Sequence, residues 1–171
     1  MVKLAPFLDE IELVLFESEG LDNYPDETQM KDLMSLSIHQ GVDFNIHLPI
    51  DIFLGDEEEE IRVKGVNIVR KVMERTLCLR PSIYTLHLDL RNKDGREETD
   101  IEAWRSRILR SAKEMTEWGI EPKRISIETL SYPFEWIEDI VKKFEFSVCL
   151  DIVHILIYGL YIQGYLYRKS Y

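Results

Sequence analysis

Phe146-Ser-Val-Cys-Leu-Asp-Ile-Val-His154 sets a pattern that recurs along this chain. It begins as an apolar strand and then presents Asp151 and His154, two metal-competent side chains three residues apart. A carboxylate taken out of water without a partner costs several kcal/mol, so an acid at a buried strand end asks for donors or a cation. Leu150 and Ile152 flank Asp151, which predicts that the polar pair is set into a hydrophobic wall. The plainer alternative is a strand-end Asp capping the next turn, with His154 hydrogen-bonded in the core. Three earlier segments repeat the pattern and favour the shared site.

Working back through the chain, Glu10–Glu17 reads as a strand with an apolar centre. After a turn over 20–25, residues 26–39 place Met30, Leu33, Met34 and Ile38 on one helical face, with Asp26 as N-cap and Gly41 at the far end. Val42–Pro49 is a short strand ending in His-Leu-Pro. The acidic run Asp56–Glu60 reads as the solvated first turn of a helix extending to about Leu77, because carboxylates favour the positive end of the helix dipole. Ile61, Ile68, Val69, Val72 and Met73 form its inward stripe. Ser82–Asp89 is a third strand and Arg124–Leu130 a fourth. Between them lies a helix capped by Asp100, with Ile101, Trp104, Ile108, Ala112 and Met115 inward and Gly119 at its end. Pro133 opens the last helix before the fifth strand.

Strands alternating with helices, each strand apolar at its centre, predict parallel strands covered by helices. Doubly wound sheets and TIM barrels both satisfy that pattern, and periodicity does not separate them. The chain has no Gly-rich dinucleotide loop and no Walker A loop.

Composition narrows the partners. A net charge of −11, from 21 basic and 32 acidic residues, argues against binding nucleic acid, which relies on basic surfaces. Cys78 and Cys149 stand in no CxxC motif and read as reduced core residues of a cytoplasmic protein. No basic leader opens the chain, and Asp151 and His154 interrupt its most apolar run, so neither a secretory signal nor a membrane span is expected.

Four of the five strands end in a ligand type: His47, His87, Glu128, and Asp151 with His154. In parallel α/β folds the C-terminal strand ends face one rim, where sites are built. Each has a plain alternative: His47 caps its turn, or His87 bonds a nearby carbonyl. Glu128, between Ile127 and Thr129, is harder to place without a cation. His and carboxylate ligands suit zinc, manganese or iron without choosing among them. His39, Glu12, Glu17 and Asp89 read as structural or weak signals.

The motifs His47-Leu-Pro49, His87, Ile127-Glu-Thr129 and Cys149-Leu-Asp-Ile-Val-His154 resemble the xylose-isomerase-like TIM barrels, the superfamily that includes endonuclease IV. The longer wording Asn45–Asp51 and Ser147–Gly159 looks most like the CbiR-type cobamide-remodelling phosphohydrolases. The resemblance implies a partial TIM barrel over 1–171 and a metal-dependent phosphohydrolase acting on the nucleotide-loop phosphodiester of cobamides. It further implies that His47 and His87 bind one divalent ion, Glu128 bridges two, and Asp151 binds the second. His154 serves a further ion or the substrate phosphate.

Two departures accompany that resemblance. Val153 stands where the family has Gly, and Val resists a positive φ, which puts the placement of His154 in question. An eight-stranded barrel needs about 200 residues or more, whereas five strands are legible, so a first strand and the last two are expected to be missing. The exposed strand edges are then expected to drive self-association, with Tyr161, Tyr165, Tyr167 and Tyr171 covering part of one. Alternative readings are a sugar isomerase or epimerase of the same fold, or a non-catalytic barrel fragment.

Overall fold

A computed structural model describes residues 5–15, 17–18 and 24–157. In chain order these form β1 (Glu10–Val14), α1 (Glu27–Gln40), β2 (Asp43–His47), α2 (Glu59–Thr76), β3 (Tyr84–Leu86), α3 (Ile101–Thr116), β4 (Ile125–Glu128), α4 (Glu138–Phe144), β5 (Ser147–Cys149) and α5 (Ile152–Ile157). The strands form one parallel sheet in the order β1-β2-β3-β4-β5. That sequential order separates the two architectures left open above. A doubly wound sheet reverses direction at a switch point, whereas a barrel adds each strand beside the last.

The register divides the sheet into two faces. Leu13, Ile46, Tyr84 and Ile125 line up on one, with Phe44, Leu86 and Ile127, and all are buried against the helices. The other carries Glu12 beside Asn45, then His47, Thr85, Ser126 and Ser147 in one row, with Glu128 beside Cys149. Small polar and ligand-type side chains therefore share the face turned away from the helices. Side chains alternate along a strand, so His47 and Glu128 fall on that face because each occupies the right parity.

The helices start and stop where local chemistry directs. Asp26 accepts the Gln29 N–H at 2.8 Å while the Gln29 side chain accepts the Asp26 N–H at 2.9 Å, a closed capping box. Gly41, at φ 69°, ends α1. Asp100 caps α3 by accepting the Ala103 N–H at 3.0 Å. Arg62 is buried between α2 and α3, donating to Ser111 Oγ at 2.9 Å and to Glu59 and Glu114 at 2.7 Å each, so its charge is fully partnered. Gly55 lets the Trp104 indole pack directly on the chain; a Cβ there would lie 2.3 Å from it.

Several expectations are corrected. The strands are shorter than their sequence signals, β1 ending at Val14 and β3 spanning three residues, although Leu15 N–H still donates to His47 O at 3.1 Å. Asp56 is not solvated: it is buried and accepts the Glu58 and Lys93 N–H groups at 2.8 and 3.0 Å, which replace water. Ile38 is 77% exposed, because the buried stripe of α1 narrows to Met30 and Leu33. Leu150 and Ile152 form no wall around Asp151; they are 39% and 59% exposed. The Tyr-rich tail lies outside the described residues.

Candidate metal centre

Four strands bring their ends to one point. His47 closes β2, His87 follows β3 by one residue, Glu128 closes β4, and Asp151 and His154 follow β5. The His47 and His87 rings meet edge to face with centroids 4.9 Å apart, and those of His87 and His154 are 6.4 Å apart. Two hydrogen bonds hold the chain just beyond His87, with Tyr132 Oη donating to Leu88 O at 2.7 Å and Trp104 Nε1 to Asp89 O at 3.0 Å.

Glu128 is the hub. Its Oε2 lies 3.1 Å from His47 Nε2 and 3.0 Å from His87 Nε2, and its Oε1 lies 3.4 Å from His154 Nδ1. Burial alone raises the pKa of this carboxyl. The hydrogen bonds from His47 and His87, with their charge, outweigh burial and hold it well below the usual carboxylate range. The Glu128 hydrogen bond in turn raises the pKa of His47, against burial and with help from the Leu48 carbonyl.

The donor set fits a cation. His47 Nδ1 donates to Leu48 O at 2.9 Å, yet its Nε2 also faces an acceptor. A neutral imidazole carries only one N–H, so the second contact needs an extra proton or a metal in its place. Two imidazole nitrogens and a carboxylate oxygen meet there, a set suited to zinc, manganese or iron. The backbone carbonyl behind His47 is the outer partner that metal-bound imidazoles use to fix tautomer and ring plane.

Glu128 also belongs to a second group. Ligand atoms of His47, His87 and Glu128 lie within 4.8 Å of one another, and so do those of Glu128, Asp151 and His154. Asp151 Oδ1 accepts the Val153 and His154 N–H groups at 2.7 and 3.0 Å, while Oδ2 lies 3.6 Å from His154 Nδ1. Val153 sits in α5, and among the described residues only Arg80 and Glu145 have a positive φ outside glycine. The Val-for-Gly difference therefore leaves His154 beside Glu128.

Asp89 and His39 lie apart from this centre, whereas Cys149 adjoins it. Asp89 binds the Arg91 N–H and guanidinium, and His39 hydrogen-bonds within α1. Cys149 has its pKa pushed up to about 11 by burial and by the charges of Glu128, Glu12 and Asp151, so it is a thiol rather than a nucleophilic thiolate. Two residues carry roles that strand-end logic did not single out. Asp51, four residues after His47, accepts both the N–H and the hydroxyl of Ser18 at 2.8 Å, tying the β2–α2 loop to the segment after β1. Thr129, next to Glu128, holds the start of α5; a hydroxyl directly behind a ligand was the available signal.

No protein-family model and no curated protein matches this sequence. Among solved structures, a D-tagatose 3-epimerase-like protein aligns with a TM-score of 0.66 at 20% identity, over 85% of this chain and 57% of that one. Endonuclease IV from Thermus thermophilus aligns at 0.62 and 17%, over 90% and 57%. D-psicose 3-epimerase from Clostridium cellulolyticum, with D-tagatose, aligns at 0.63 and 15%, over 99% and 60%. This chain thus spans less than two thirds of the length of each. A further match is a xylose isomerase domain protein from Planctomyces limnophilus, at a TM-score of 0.66 and 9% identity over 94% of this chain and 61% of that one. Among the described residues no helix is long and apolar enough to cross a membrane. The five sequential strands with their helices share the fold of these structures over part of a TIM barrel.

Proposed function

We propose that this chain carries the metal site of a phosphoester hydrolase, with the nucleotide-loop phosphodiester of a cobamide as substrate. The observation that supports this reading is the sharing of Glu128 between two ligand groups, Oε2 toward His47 and His87 and Oε1 toward His154. A carboxylate so placed could help to hold two divalent ions, with His47 and His87 on one side and Asp151 and His154 on the other; when bound, they would neutralise phosphoryl charge and acidify a water. The chain's own residues prepare that chemistry. Glu128 is kept ionised, His47 is oriented by the Leu48 carbonyl, and Asp151 is fixed by the first turn of α5. The cobamide assignment rests on the resemblance of Asn45–Asp51 and Ser147–Gly159 to that branch. An acidic protein of net charge −11 suits a small ligand better than a nucleic acid.

A second reading, a sugar epimerase, is favoured by one observation: solved structures with this fold include D-psicose 3-epimerases and a D-tagatose 3-epimerase-like protein. Epimerisation needs carboxylates to move protons on either side of a carbon, and Glu128 and Asp151 are the candidates. Incubating the chain, loaded with manganese or zinc, with a cobamide and separately with D-psicose distinguishes the readings. Release of the cobamide nucleotide loop supports the hydrolase and formation of D-fructose supports the epimerase. Neither product would leave a non-catalytic barrel fragment.

A further inference from the structure

We propose that Thr129 is a positioning residue that hangs the second ligand group on the first. This rests on the reading that Glu128 serves two ions. Thr129 is buried and follows Glu128 directly, and it uses all of its polar atoms on the β5–α5 segment. Its N–H donates to Cys149 O at 3.0 Å, its Oγ1 accepts the Asp151 N–H at 3.1 Å, and its carbonyl accepts from His154 Nδ1 at 3.2 Å. The carbonyl contact takes the Nδ1 proton and fixes the His154 ring plane, which makes Nε2 the nitrogen that would face an ion. The hydroxyl contact fixes the backbone of Asp151 at the residue where the chain leaves the sheet. His47 and His87 make no contact of this kind with Thr129; the Leu48 carbonyl orients His47. Loss of the hydroxyl should therefore loosen Asp151 and His154 while leaving His47, His87 and Glu128 as they are.

Calorimetric titration of the metal-free full chain with zinc or manganese tests this. Wild type is expected to bind two ions. Thr129→Val, which keeps the shape and drops the hydroxyl, is expected to weaken one ion about 10- to 100-fold and leave the other within about twofold. Thr129→Ser is expected to restore the wild-type pattern. The retained ion also reports that the variant is folded. Equal binding of both ions by Thr129→Val, or loss of both, would overturn the inference. A wild type that binds a single ion would instead remove the two-ion reading of Glu128. In that case amide exchange at Asp151 in the metal-free protein decides: faster in the Val variant and unchanged in the Ser variant supports the role, and unchanged in both refutes it.

Discussion

The ends of β4 and β5 are neighbours in the sheet and are built on opposite plans. Every residue of β4 is buried, with β3 on one side and β5 on the other. Glu128 is held there by packing beneath it and by two imidazoles beside it. Among the described residues β5 pairs with β4 alone, and Val148 is 40% exposed on the face where Ile127 is fully buried. In α5 only Ile155 is buried, while Ile152, Val153, Leu156 and Ile157 face outward. One half of the centre is thus fixed by a close-packed core, the other by a few hydrogen bonds from Thr129 and Asp151. Packing resists perturbation collectively, whereas a hydrogen bond fails with the loss of one atom.

The largest effect is expected on removing Glu128, which both halves share. Glu128→Ala is expected to abolish metal retention and reduce turnover to background while the helices persist; elemental analysis and circular dichroism read the two effects. Metal content equal to wild type would mean that Glu128 is not the hub. Next in size is a contrast within the apolar face. Ile127→Ala should cost about 2–5 kcal/mol, and Val148→Ala less than about 1 kcal/mol, by urea denaturation. Similar costs at both would show that β5 is packed as tightly as β4.

Asp151→Asn probes the hydrogen-bonded half. An amide oxygen still accepts the Val153 and His154 N–H groups, so the start of α5 should survive. Turnover is expected to fall about 10- to 100-fold, with the ion at His47 and His87 retained. Light scattering addresses the outward apolar residues of α5: we expect the chain to self-associate, and Leu156→Lys to shift it toward monomer. A wild type that is monomeric across the concentration range refutes that. The smallest effect is expected at Ile38→Ala, within about 0.5 kcal/mol, since the side chain is already in solvent.

The order of elements and the meeting of the strand ends were legible because a buried His or Glu at the end of an apolar run breaks the pattern locally. The caps at Asp26 and Asp100 were legible for the same reason, since partner and donor lie within three residues. Burial at the fifth strand was not. Leu150 and Ile152 look like wall residues to any local pattern, and their exposure depends on what packs beside β5. Asp56, in a run of five acids, gave no hint that it alone is buried, because one of its two partners is the Lys93 backbone, 37 residues away. Thr129 and Asp51 were hidden likewise by contacts that cross between loops.

The strictly sequential sheet also bears on how the chain assembles. Each strand pairs with the one made just before it, so no strand waits for a later segment to insert between existing neighbours. Contacts then close over one βα repeat at a time, and loop-closure entropy is met in modest instalments. A chain emerging from the ribosome can add each unit to an edge already formed. By the same logic β1 and β5, which have a single neighbour each among the described residues, are expected to exchange their amide protons soonest.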